Sequence, residues 1–239
     1  MNLRRATTTL LAVVSLVAAS AQELWTSADL DYGITKKLKA DVGIECRTTD
    51  QLSNISRFAV SAGLNYRLCK YVKAGVAYTF LYDHNGNKYD DDDNYIPYYW
   101  QPRHRIEAEL TGSYKIGRVT LSLRETYQYT YHRERVTTAN YDMLSNTWTL
   151  VQSVNAKPKN YLRSRIMAEY NIRKSPFTPF ASCEIYSDVS DFSTNKARYT
   201  IGSEYKLNSR NELSLFYRYI DRHNGGTHVI GVGYSFKLK

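Results

Sequence analysis

The sequence predicts an all-β protein, an antiparallel transmembrane β-barrel of about 10–12 strands with short periplasmic turns and long extracellular loops. Three observations carry this prediction. Segment after segment alternates apolar and polar residues with a period of two. Short and long connections alternate along the chain. Tyrosines recur at fixed positions on the apolar faces.

The last stretch, Thr227 to Lys239, sets the pattern. His228, Ile230, Val232, Tyr234, Phe236 and Leu238 fall on one face of an extended chain, and Val229, Gly231, Gly233, Ser235 and Lys237 on the other. A chain that ends on a strand must pair it. In a closed barrel the partner is the first strand, and closure removes the exposed edge that invites aggregation.

The totals agree. Of 239 residues, 43% are hydrophobic, and the mean hydropathy is −0.50, too polar for a helical membrane protein but suited to alternating strands. Tyrosine, with 22 copies against 7 Phe and 3 Trp, is apolar in body and polar at its tip, as a membrane interface requires. Residues 1–21 read as a cleaved secretory signal: Arg4 and Arg5, an apolar stretch from Leu10 to Ala18, then Ala19-Ser20-Ala21. Residues 22–239 then form one barrel domain, with no run of 18 apolar residues to make a spanning helix. The net charge of +9 falls to +7 without Arg4 and Arg5. For an exported chain that charge points to lipopolysaccharide phosphates and other outer-membrane lipids rather than nucleic acid. The terminal strand is the expected contact for the barrel-assembly machinery. Three cysteines cannot all pair within one chain. Cys46 and Cys183 lie on apolar faces and Cys69 in a turn, so a disulfide framework is not expected, and no cofactor or metal is implied.

In order, the first two strands run from Leu24 to Gly33 and from Leu38 to Arg47, the second alternating cleanly (Leu38, Ala40, Val42, Ile44, Cys46 against Lys39, Asp41, Gly43, Glu45, Arg47). Arg57 to Leu68 alternates again, and a turn at Cys69-Lys70 leads into Val72 to Tyr82. A polar loop, Asp83 to Pro102, follows. Arg103 to Tyr114 and Val119 to Tyr131 pair across Lys115 to Arg118, and the longest loop, His132 to Lys159, comes next. Tyr161 to Tyr170, Phe177 to Asp188, Tyr199 to Leu207 and Glu212 to Asp221 precede the terminal strand. Pro179 is tolerable near a strand start.

First strands of successive pairs share an ending: Tyr32-Gly-Ile34, Tyr66-Arg-Leu68, Tyr114-Lys-Ile116, Tyr170-Asn-Ile172, Tyr205-Lys-Leu207 and Tyr234-Ser-Phe236. A second aromatic cluster (Tyr78, Phe80, Tyr82, Tyr127, Tyr129, Tyr131, Tyr217, Tyr219) lies near the loop end, giving two girdles. Period two does not say which face points inward, so a secreted barrel with a polar exterior and apolar interior is the alternative. The strand count is eleven, whereas an even number is expected of single-chain bacterial barrels. Either the first segment folds inside or beside a ten-stranded wall, or one strand escapes notice.

Several short stretches also resemble one family: Leu24-Trp25-Thr26, Arg103-His104-Arg105 after Trp100, Leu123-Arg124-Glu125, Leu162-Arg163-Ser164-Arg165, Pro179 with Glu184, and Tyr217-Arg218-Tyr219. Together they resemble the domain of unknown function 2490 family, Gram-negative, Bacteroidetes-type outer-membrane barrels. The resemblance implies fold and outer-membrane location, without an activity.

The polar faces carry dense charge: Arg57, Arg67, Lys73, Arg103, Arg105, Glu107, Glu109, Arg124, Arg163, Arg165, Glu169, Glu184, Arg198, Glu204 and Arg218. Two readings stand, a structural ion-pair plug and a narrow, porin-like charged pore whose excess arginine favours anions. The acidic run Asp90 to Asp93, with Asp83, Asn85 and Asn87, suggests Ca²⁺ by composition but fails the EF-hand spacing, and a solvated acidic loop is the plainer reading. All five histidines, His84, His104, His132, His223 and His228, fall near the outer end. A lipid A or phospholipid hydrolase with a His-containing site at the outer rim, near Ser187 and Asp188, is therefore the alternative function, and the loops offer a third, interaction-based one. Glu125 shares its parity with Leu121, Leu123 and Tyr127 and so faces lipid. It marks a bulge, a protomer contact or a protonated carboxyl group.

Overall fold

The computed structural model describes residues 21–49, 53–85, 88–89, 95–96, 99–138, 141–142, 147–148, 151–154, 156, 158–223 and 225–238. The expected signal residues 1–20 and the acidic run 90–93 lie outside the described residues.

Eleven long strands make the wall: β1 (Glu23–Gly33), β2 (Leu38–Thr49), β3 (Asn54–Arg67), β4 (Val72–Asn85), β5 (Tyr99–Ile116), β6 (Val119–Tyr131), β7 (Lys159–Tyr170), β8 (Phe177–Asp188), β9 (Thr194–Lys206), β10 (Asn211–Arg222) and β11 (Gly225–Lys237). Each pairs with its sequence neighbours, and β1 closes the barrel against β11. Ten seams are antiparallel and the closing one is parallel, with Ala28 opposite Tyr234. An up-and-down chain with an odd number of strands brings its first and last strands together pointing the same way, so closure has to be parallel.

This corrects the expected even number. The first segment is neither inside nor beside the wall, since β1 bonds to β2 on one side and to β11 on the other. The loop bounds also change. The wall extends along β4 to Asn85, starts again at Tyr99, and takes Lys159 into β7. Beyond it, Arg135–Thr138 pairs with Val151–Val154 as a short ribbon.

The apolar faces point outward. Val60, Ile106 and Ile166 are 52%, 56% and 62% exposed, whereas inward-facing Leu81 is 1% exposed and Thr126 3%. The alternative barrel with an apolar interior is thereby excluded. So much exposed aliphatic and aromatic surface has hydrocarbon, not water, as its favourable surroundings. Tyr32, Tyr66, Tyr114, Tyr170 and Tyr234 stand exposed on the outer face at the short-turn end, as the repeat implies.

Two glycines are required by geometry. Gly117, with φ 60°, sits in the two-residue turn between β5 and β6, where Ile116 pairs with Val119 and a left-handed residue matches the strand twist. Gly231 lies against Phe216, and an added Cβ would meet that ring at 1.9 Å.

Glu125 is not at a bulge. The register of β6 runs unbroken against β5 and β7, and the irregularities occur at Arg47/Thr48 and Tyr186/Ser187. On the outer face the Ser164 hydroxyl donates to the Glu125 carboxylate at 2.6 Å. Cys46, Cys69 and Cys183 are free, Cys46 and Cys183 lying on strands and Cys69 exposed in a turn.

Candidate functional site: the charged lumen

Because period two sends alternate residues inward, eleven strands deliver their charges into one closed space. That space holds a cavity of about 670 Å³, lined by twelve arginine and lysine side chains and five carboxylates. Its lining runs from Asp41, near the turn end of β2, to Lys159 and Arg222, at the loop ends of β7 and β10.

At its centre stands Glu184 of β8, 6% exposed. It accepts from Arg163 Nη2 at 2.9 Å and Arg198 Nη1 at 3.4 Å, and Arg124 Nη2 lies 3.7 Å away. Arg163 of β7 also donates to Glu107 at 2.5 Å and Gln128 at 3.0 Å, so one guanidinium ties β5, β6 and β8 to β7. The Tyr186 ring, two residues along β8, lies beneath Arg163, Arg198 and Lys196 at 4.9, 4.6 and 4.1 Å, and Arg198 is hydrogen-bonded to its hydroxyl.

Toward the loop end, Arg57 grips Asp83 through two bonds of 2.5 and 2.8 Å, and Arg103 lies 3.4 Å from the same carboxylate. Asp83 is thus a wall residue held by arginine and not a calcium ligand in a loop. Asn85 likewise belongs to β4, where it accepts from Arg103. Among the described residues no group of three or more metal-ligating side chains occurs. Arg47 pairs with Glu45 and stacks on Trp25 at 3.5 Å. Trp25 packs in turn on Ile220 and Val229, a small apolar cluster inside the lumen.

Besides Arg222, which donates to Thr227 at the loop end, four cations of the cavity lining have no carboxylate partner among the described residues. Arg105 and Arg165 form no ion pair, and each has a buried Nε without a hydrogen-bond partner. Arg218 donates only to Thr200, at 2.9 Å, and Lys196 only rests on Tyr186.

Of the residues expected in the lumen network, Arg57, Arg103, Arg105, Glu107, Arg124, Arg163, Arg165, Glu184, Arg198 and Arg218 are brought together around this space. Arg67 lies exposed at the turn end of β3 and Glu204 near the turn end of β9, both apart from the cavity lining. Trp25, Arg47, Asp83, Tyr186 and Lys196 also belong to the network, beyond the residues the sequence points to for it.

Among the described residues, the partners found for His104, His132 and His228 do not include Ser187. His104 and His228 are bonded through Nδ1 to the hydroxyls of Tyr78 and Tyr217, at 2.7 and 2.6 Å. His132 Nδ1 lies 3.0 Å from Gln101 Nε2, and Ser187 pairs in the wall with Leu162 and Thr194.

Residues 22–229 match a family described as Protein of unknown function (DUF2490). No curated protein matches the sequence. Among solved structures, the chain resembles the β domain of the Bordetella autotransporter BrkA, at 11% identity and a TM-score of 0.57, covering 87% of this chain and 84% of that one. It resembles the translocator domain of the autotransporter NalP from Neisseria meningitidis, at 12% identity and 0.56, over 86% and 76%. It also resembles the NanC porin, at 15% identity and 0.50, over 88% and 91%. The fold is therefore that of outer-membrane autotransporter and porin barrels.

Proposed function

The chain belongs to the DUF2490 family of proteins of unknown function, and we propose that it is a bacterial outer-membrane protein whose lumen is a narrow charged pore favouring small anions. In this reading residues 1–21 are a signal removed on export, β11 is the segment that engages the assembly machinery, and the outer surface is solvated by membrane lipids and lipopolysaccharide. The observation that carries the pore is the cavity lining, which extends along most of the wall and holds twelve basic groups to five acidic ones. A passage with that balance concentrates anions and repels cations.

Single-channel recording of the refolded barrel in a planar bilayer tests it. Discrete openings are expected, with a reversal potential under a KCl gradient that reports anion preference and that shifts in Arg105→Ala and Arg163→Ala. A silent barrel with intact strand content overturns the pore and leaves a structural protein plugged by its ion pairs.

A further inference from the structure

We propose that the lumen also contains a saturable site for a small molecule bearing two oxyanion groups, carboxylate or phosphate, formed by Arg105, Arg165, Arg218 and Lys196. The proposal rests on the lumen being reached by solutes, as the pore reading requires.

The four cations stand on β5, β7, β10 and β9, so they surround the space instead of lining one side of it. Their neighbours are already committed. Glu184 is shared among Arg163, Arg198 and Arg124, Glu107 is held by Arg163, and Asp83 by Arg57 and Arg103. What is left over is net positive, because the two remaining lining carboxylates, Asp29 and Asp41, are bonded to Ser27 and Asn65. Lys196 lies close enough to feel the charges of Arg105, Arg163, Arg198 and Arg222, and Arg218 those of Arg198 and Arg165 as well as the opposite charge of Glu184. Like charges crowded inside a wall that water reaches only from its ends are stabilised by an anion among them.

The geometry favours a built-in binder of oxyanions over diffuse screening. Arginine presents paired N–H donors that match a planar carboxylate or a phosphate, and the Nε donors of Arg105 and Arg165 are buried with nothing to receive them. Glu184 is an internal demonstration: a carboxylate in this lumen draws three guanidiniums within 4 Å. Two anionic groups suit four unmatched cations better than one. A cavity of about 670 Å³ falls in the size range of small-molecule pockets.

The test is calorimetric titration of the refolded full-length barrel in detergent, at constant ionic strength, with succinate, with inorganic phosphate and with sodium chloride. Saturable binding of succinate or phosphate at one site is expected, and which of the two binds tighter assigns the source as carboxylate or phosphate. The double variant Arg165→Gln, Arg218→Gln should weaken that binding on the order of a hundredfold, from the usual worth of two charge-assisted hydrogen bonds. Lys115→Gln, at the exposed turn end of β5, should leave it unchanged. Heats that never saturate, equal for chloride, or an unchanged affinity in a double variant with intact strand content, overturn the site. Conductance without saturable binding removes the site and keeps the pore. Binding without conductance removes the pore and keeps the site.

Discussion

Arg163 and Glu184 face each other across the β7–β8 seam at 2.9 Å, and that one contact joins two ion-pair systems, because Arg163 also holds Glu107 while Glu184 also attracts Arg198 and Arg124. Glu184→Gln leaves three guanidiniums facing one another and should cost about 3–5 kcal/mol of stability, the usual result of removing one partner from a buried pair. Arg124→Gln should cost less, because Arg163 and Arg198 remain on Glu184. Urea unfolding midpoints of the two variants in lipid vesicles check the order.

Glu125 presents a carboxylate on the outer face of mid-β6, relieved by the Ser164 hydroxyl alone among the hydrogen bonds of its strand neighbours. Where that face meets hydrocarbon, Glu125→Leu should stabilise the barrel by about 1–2 kcal/mol. A variant that fails to assemble would instead make Glu125 a contact the protein needs.

The parallel closure predicts a specific cross-link. With Cys46, Cys69 and Cys183 replaced by serine, Ala28→Cys combined with Tyr234→Cys should oxidise to a disulfide, since the two residues are directly paired and both face outward. Tyr32→Cys with Tyr234→Cys, four residues out of register and about 13 Å apart, should not. Gel mobility under non-reducing conditions separates the two.

Trp25 fills the lumen beside the same closure. Trp25→Ala empties its contacts with Ile220 and Val229 and removes the ring on which Arg47 stacks. The expected loss is about 3–5 kcal/mol, read as a lower thermal transition of the folded band on gels.

His132, just past β6, is buried beside Gln101, and burial, with the nearby charges of Arg103 and Lys159, holds its imidazole below the ordinary value of 6.5. A depressed folded value means that protonation favours the open state. The stabilisation of this corner is intact above pH 6.5 and is lost as the pH falls through the folded value. Hydrogen exchange at the Gln101 amide, corrected for intrinsic rate, should quicken between pH 7 and 5 beyond what His132→Gln shows.

How much of this was legible depended on local alternation. Leu38 to Arg47 and Arg57 to Leu68 alternate without a break, so their inward charges could be read directly. β1 does not. Leu24 and Trp25 are adjacent and Ala28 is small, so nothing in the sequence told which way Trp25 points. Lys196 precedes the first apolar residue of β9, so alternation alone starts that strand too late to include it, although its parity with Arg198 points it inward. Asp83 reads as a loop residue because it follows Tyr82, the last of an apolar series, yet it shares the face of Thr79 and Leu81. The link from Arg163 to Glu107 crosses β6 altogether, and only register and closure bring those two strands' side chains together.

The parallel seam fixes where the two ends of the wall come out. β1 runs from the loop end to the turn end, as β11 does, so the start of β1 and the finish of β11 lie on opposite sides of whatever the barrel crosses. A barrel with an even strand count returns both its ends to one side. Here a peptide joined ahead of Glu23 would be displayed among the long loops, beside His228, whose carbonyl already accepts the backbone N–H of Gln22 at 2.9 Å, while one joined after Lys237 would sit among the short turns.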